Sequence, residues 1–78
     1  MTQFDKEWNG KTLKVTATCA NGTFAELHAS CGVGEMWYTY GYITTEDGDE
    51  DNLDGYRQAD LTAAQVGELV GRFEKEFA

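Results

Sequence analysis

The chain has 78 residues, 14 acidic against 6 basic, and a formal charge of −8. That length suits one domain with a thin core, burying only ~60–65% of the unfolded surface, and it leaves little room for a large enclosed substrate pocket. The charge opposes binding to nucleic acid or an anionic membrane and favours basic partners, among them proteins that themselves bind nucleic acid.

The N-terminus, Met1-Thr2-Gln3-Phe4-Asp5, has neither the basic flank nor the apolar run of a signal peptide. No stretch reaches the ~18 apolar residues that cross a bilayer. The expectation is a cytoplasmic protein whose Cys19 and Cys31 stay reduced. The glycosylation pattern Asn21-Gly22-Thr23 carries no weight in that setting.

Asn9-Gly10 and Asn21-Gly22 are hairpin signals. A first strand is expected over 3–8, with a disordered or single-turn helical N-terminus as the alternative. A two-residue turn at Asn9-Gly10 pairs Trp8 with Lys11, Lys6 with Leu13 and Phe4 with Val15, and sets Asp5 opposite Lys14. The second strand, 11–19, has Leu13, Val15, Ala17 and Cys19 on one face. The third, 23–31, has Ala25, Leu27, Ala29 and Cys31 on one face, with Phe24, Glu26, His28 and Ser30 on the other. A two-residue turn at Asn21-Gly22 would mix those faces. A three-residue loop pairs Val15 with Leu27 and Ala17 with Ala25 and keeps them consistent.

Gly32-Val33-Gly34 turns the chain into a fourth strand, 35–44. A three-residue loop there pairs Ala29 with Trp37 and turns Trp37, Thr39, Gly41 and Ile43 inward. Tyr38, Tyr40 and Tyr42 then share the outer face with Phe24, His28 and Met36. A loop of two or four residues would reverse the two faces. After an acidic loop, 45–60, comes a helix over 62–77. Thr62 is its N-cap and Gln65 completes a capping box, with Leu61 placed to staple against Val66. Val66, Leu69, Val70, Phe73 and Phe77 fall in one stripe. Gly67 and Gly71 border it, either as tolerated glycines or as points of close approach. The fold class is α+β: a three- or four-stranded antiparallel β-meander followed by one C-terminal helix on one face, with Ala17, Ala25, Ala29 and Gly41 beneath it.

Six of the nine residues from 46 to 54 are acidic: Glu46, Asp47, Asp49, Glu50, Asp51 and Asp54. Packing does not call for such a run, and mutual repulsion opposes it. Connections this long are usually functional or disordered. An EF-hand loop begun at Glu50 places Leu61 where the twelfth-position glutamate belongs, so a dedicated calcium site is not expected. The pattern fits either a binding edge for a basic protein surface or a solvated loop.

In size and charge, though in no motif, the chain is similar to small acidic inhibitors such as phage-encoded antagonists of CRISPR complexes and immunity proteins against nucleases, which occupy phosphate-binding grooves. That similarity implies an inhibitor acting as a nucleic-acid mimic.

No catalytic set is legible. His28 and Cys31 are three apart on a strand and point to opposite faces. Cys19, His28 and Cys31 lack zinc-ligand spacing, and no nucleotide-binding glycine motif is present. Binding without cofactor, metal or catalysis is therefore expected, through the six acidic residues with Tyr38, Tyr40 and Tyr42 as anchors. The tyrosines have a plainer reading, as core residues or cross-strand pairs. The alternative function is a structural, self-assembling subunit that uses the tyrosine face or a sheet edge.

Overall fold

The β-branched, aromatic and small residues of the first half form strands as their alternation predicts. The computed structural model describes residues 1–78. In chain order it contains β1 (Gln3–Trp8), β2 (Thr12–Thr18), β3 (Phe24–Cys31), β4 (Trp37–Thr44), β5 (Glu50–Asn52), β6 (Gln58–Leu61) and α1 (Ala63–Phe77). Every pairing is antiparallel. β1 to β5 lie side by side in sequence order, and β6 pairs with β4 on the same flank as β5. α1 packs on one face, against β2, β3, β4 and β6. The architecture is α+β.

The β2–β3 register is the expected one. Val15 faces Leu27 and Ala17 faces Ala25. Cys19 N donates to Thr23 O at 2.8 Å, and Gly22 takes the left-handed φ of +90° that closes a three-residue loop.

Two other registers slide by two residues. Trp8 faces Leu13, Lys6 faces Val15 and Phe4 faces Ala17, so Glu7, not Asp5, lies opposite Lys14. The cause is Asn9, whose Oδ1 accepts from the backbone N–H of both Lys11 (3.1 Å) and Thr12 (2.8 Å). This side-chain-capped turn spends two more residues than a tight hairpin does. On the other side of the sheet Cys31 faces Trp37 and Ala29 faces Thr39, not Trp37. A 3₁₀ turn over Val33–Glu35 takes up the difference, closed by Gly32 N donating to Met36 O at 2.8 Å. A slip of two preserves facing, so Trp37 and Thr39 point inward and Tyr38 and Tyr40 outward as expected.

The helix begins where the capping box places it. Thr62 Oγ1 accepts from Gln65 N at 3.2 Å, and Gln65 Oε1 accepts from Thr62 N at 2.8 Å. Val66, Leu69, Val70 and Phe73 are buried, and Phe77 packs at the margin. They close over Val15, Ala17, Ala25, Leu27 and Ala29. Phe73 is the hub, with ring centroids 6.5 Å from Phe4, 5.9 Å from Tyr56 and 5.0 Å from Phe77. Burying a side chain of this size contributes ~1.5–3 kcal/mol. A Cβ added at Gly67 or Gly71 would meet nothing within 4 Å, so neither glycine serves a close approach.

The segment 45–60 is not the structureless loop its composition suggests. β5 turns back against β4, with Tyr42 opposite Asn52, Ile43 opposite Asp51 and Thr44 opposite Glu50. The hairpin tip is tied by Gly48 N to Thr45 O and Thr45 N to Asp49 O, both at 2.9 Å. Leu53 N then donates to Gly41 O at 3.0 Å, and Tyr56 dives into the core, fully buried. Gly41 makes room for this return rather than for the helix: a Cβ there would lie 3.2 Å from Tyr56 Cβ and 3.3 Å from Leu53 Cδ1. Tyr56 O accepts from Thr39 Oγ1 at 2.7 Å, and its hydroxyl donates to Glu76 at 2.7 Å. The Arg72 guanidinium stands 4.8 Å above its ring. Burial of Leu53 and Tyr56 supplies the apolar contact that offsets ordering this acidic stretch.

Candidate functional site

The antiparallel sheet has a helix on one face only, and its other face is open. Along β3 the open-face residues are Phe24, Glu26, His28 and Ser30; along β4 they are Tyr38, Tyr40, Tyr42 and Thr44. Cross-strand neighbours sit ~5 Å apart, and here they interlock. The His28 ring is parallel to Tyr40, with centroids 4.8 Å apart and planes 1° apart, and it also stacks on Tyr42 at 5.6 Å. These are cross-strand contacts rather than core packing: Tyr38 and Tyr40 remain 49% and 44% exposed.

Glu26 anchors the cluster. Glu26 is only 6% exposed although it lies on the open face, because Lys14, His28 and Tyr42 cover it. The Tyr42 hydroxyl donates to Oε2. His28 Nε2 lies 2.8 Å from the same oxygen, and Lys14 Nζ is 4.0 Å from Oε1. Burial opposes the charge, but the hydrogen bonds from Tyr42 and His28 and the charge on Lys14 together outweigh it. Glu26 is held below the usual carboxylate range. With Glu26 ionised, His28 Nε2 carries the proton. The Tyr42 hydroxyl is pushed up to about 12, first by its hydrogen bond to Glu26, then by burial and the charges of Glu26 and Glu50. Glu26, His28 and Ser30 alternate on one strand, as a carboxylate, an imidazole and a hydroxyl. No hydrogen bond joins Ser30 to the ring, so this row presents no activated nucleophile.

The six acidic candidates are exposed, and none is in an ion pair. They divide into three places. Glu46, Asp47 and Asp49 form the hairpin tip, beside the β2–β3 turn, where a Cβ at Gly22 would lie 3.3 Å from Glu46 Cβ. Glu50 and Asp51 lie on β5. Glu50 faces the tyrosine side opposite Thr44, and Asp51 faces the helix side opposite Ile43. Asp54 borders an open groove of about 850 Å³ that Tyr38, Tyr40, Asn52 and Arg57 also line. A second groove of about 580 Å³ lies between Tyr40, Tyr42 and Glu50–Asn52. The structure thus brings Tyr40, Tyr42 and Glu50 together and Tyr38, Tyr40 and Asp54 together, and it sets the hairpin tip apart. No group of three or more His, Cys, Asp or Glu side chains converges as metal ligands, and Cys19 and Cys31 are free thiols.

Neither Glu26, the hub of the open face, nor Tyr56, the pin of the acidic segment, stands out in the sequence. The alternation that put His28 beside the tyrosines also puts Glu26 there. That its carboxylate is buried by three neighbours follows only from side-chain geometry. No helix is long and apolar enough to cross a membrane. The chain matches no protein-family model, no curated protein and no solved structure.

Proposed function

We propose that this protein is an acidic binding module that occupies the basic surface of a nucleic-acid-handling protein, inhibiting it by presenting carboxylates where phosphates would lie. The role is binding rather than catalysis, and it implies a cytoplasmic setting. The observation that carries the reading is the mounting of the acids. Glu46, Asp47, Asp49, Glu50, Asp51 and Asp54 are exposed and unpaired, yet they lie on a hydrogen-bonded hairpin and a turn pinned by buried Tyr56. A run held in place against its own repulsion is preorganised, so a partner does not bear the cost of ordering it. Alternate carboxylates on an extended chain stand ~6.5–7 Å apart, against one charge per ~3.4 Å of rise along a nucleic-acid strand. The match is loose, but a run of acids can still occupy a groove built for phosphates.

The test is an affinity capture on the wild-type protein, eluted with a salt gradient and repeated with the variant D47N/D49N/E50Q/D51N. Binding of the variant should weaken at least tenfold and its salt dependence should flatten. Equal affinity and equal salt slope would remove the electrostatic reading.

The exposure of Tyr38 and Tyr40 supports a second reading, a self-assembling subunit that pairs through the tyrosine face. Sedimentation across a hundredfold concentration range separates the two. A strict monomer leaves the binding module standing.

A further inference from the structure

Tyr40 is the one residue common to three grooves: one with Asp54, one with Glu50, and a third with Lys14, His28 and Ser30. The groove that this ring shares with Tyr42 and Glu50 is a furrow of about 580 Å³. Its walls are already set. Tyr40 is held by stacking on His28, and Tyr42 by donating its hydroxyl to Glu26. Neither ring must be ordered on binding, a condition that favours an anchor residue.

The chemistry of the furrow points to one kind of occupant. Glu50 lines the same groove as Tyr40 and Tyr42 and lies on their face of the sheet, opposite Thr44 and diagonal to Tyr42. It is exposed and has no cation partner, and its charge bears on the Tyr42 hydroxyl. Lys14, on β2, pairs with Glu26. Two aromatic rings with an unneutralised carboxylate at their edge suit a planar cation that stacks and forks at once. Guanidinium does this; an ammonium, compact and strongly hydrated, does it less well.

We infer that the furrow over Tyr40 receives an extended, arginine-bearing segment of the basic partner, with one guanidinium seated against Tyr40 and Tyr42 and paired to Glu50. The inference rests on the proposed acidic-module function and adds to it: the hairpin tip attracts the partner, and the furrow reads arginine in it. The partner segment lies over the β4–β5 flank of the open face, leaving the helix face untouched.

The test uses the full chain with fluorescein-labelled nona-arginine and nona-lysine at equal ionic strength, read by anisotropy. Nona-arginine should bind at least threefold more tightly than nona-lysine, the factor expected of an exposed cation–π contact. Tyr40→Ala should bring arginine down to the lysine level and leave lysine unchanged. Glu50→Gln should reduce the arginine preference while keeping the tyrosine absorbance and melting temperature of the wild type. Equal binding of the two peptides, unaffected by Tyr40→Ala but weakened together by D47N/D49N/E50Q/D51N, overturns the furrow and leaves the acidic module intact. Binding of neither peptide at low salt overturns both. Self-association that Tyr40→Ala abolishes, without any arginine preference, assigns the face to a second copy and also overturns the inference.

Discussion

The two faces of this sheet come from the same strands by alternation, yet they are built by different rules. The helix face is apolar: Ala17, Ala25 and Ala29 of the sheet share one buried cluster with Leu69 and Phe73 of α1. The open face is aromatic and polar, held by a single buried carboxylate and two stacked rings. Tyr56 and Tyr40 show the difference within one residue type. Tyr56 comes from the acidic segment and is fully buried; Tyr40 comes from a regular strand and stays 44% exposed. On the covered face a tyrosine contributes to stability; on the open face nearly half of its surface is left for other work.

The largest effect that would break this contrast comes from paired truncations. Tyr56→Ala should cost ~3–5 kcal/mol by denaturant unfolding, since it empties a closed site around Phe73 and strips Glu76 and Arg72 of their partner. Tyr40→Ala should cost about 1 kcal/mol or less, the worth of one exposed stacked pair. Comparable losses would mean that the open face is a second core.

Titration sharpens the same contrast. The Tyr56 hydroxyl is pushed up to about 12, by burial first and then by Glu76, and Tyr42 reaches about 12 as well. The folded protein therefore keeps these protons to a pH about 2 units higher than the unfolded chain, where tyrosine titrates near 10. Their contribution is complete below pH 10 and is lost as the pH rises toward 12, by up to ~1.4 kcal/mol per pH unit for each group. Tyr56→Phe keeps the ring and removes one titrating group, so its alkaline decline in stability should be shallower than that of the wild type. An identical decline would move the cause away from the buried hydroxyl. Glu26 has the opposite sign: its lowered pKa gives stability that is present above the ordinary carboxylate range and lost as the pH falls through the folded value. Glu26→Gln should flatten the acid limb of the stability curve.

The sequence is legible where the local signals are strong and the partner is near in the chain. Facing in β1 to β4 follows from alternation, and the helix start follows from Thr62 and Gln65. Two loop lengths do not follow, because the side chain of Asn9 and the 3₁₀ turn after Gly32 each add two residues without disturbing the faces. β5 is invisible for a physical reason: Glu50, Asp51 and Asn52 have poor strand propensity, and they pair only because β4 offers a free flank. The available clue was Leu53 and Tyr56, an apolar pair three apart inside a polar run. The site is legible only in part for the same reason: Glu50 joins Tyr40 and Tyr42 through a pairing that the composition of the strand argues against.

Gly67 and Gly71 lie on the solvent side of α1 with open space around each. Gly67→Ala and Gly71→Ala should each raise stability by about 1 kcal/mol, through helix propensity alone. A loss instead would show that the helix approaches something at these positions.

The smallest expected effect is the most informative for function. D47N/D49N/E50Q/D51N removes four exposed, unpaired charges whose backbone, not their side chains, forms most of the hairpin contacts. Only the Asp51 side chain accepts a local hydrogen bond, from Asn52 N at 2.9 Å, and asparagine preserves an acceptor there. The thermal midpoint should stay level or rise slightly as repulsion is relieved, within about 0.5 kcal/mol of the wild type. If the hairpin instead melts, the acids are part of the scaffold, and a loss of partner binding in that variant would report unfolding. If the fold is indifferent to them, stability does not account for four carboxylates at the edge of a small sheet, and weakened binding to the proposed basic partner would measure what they do.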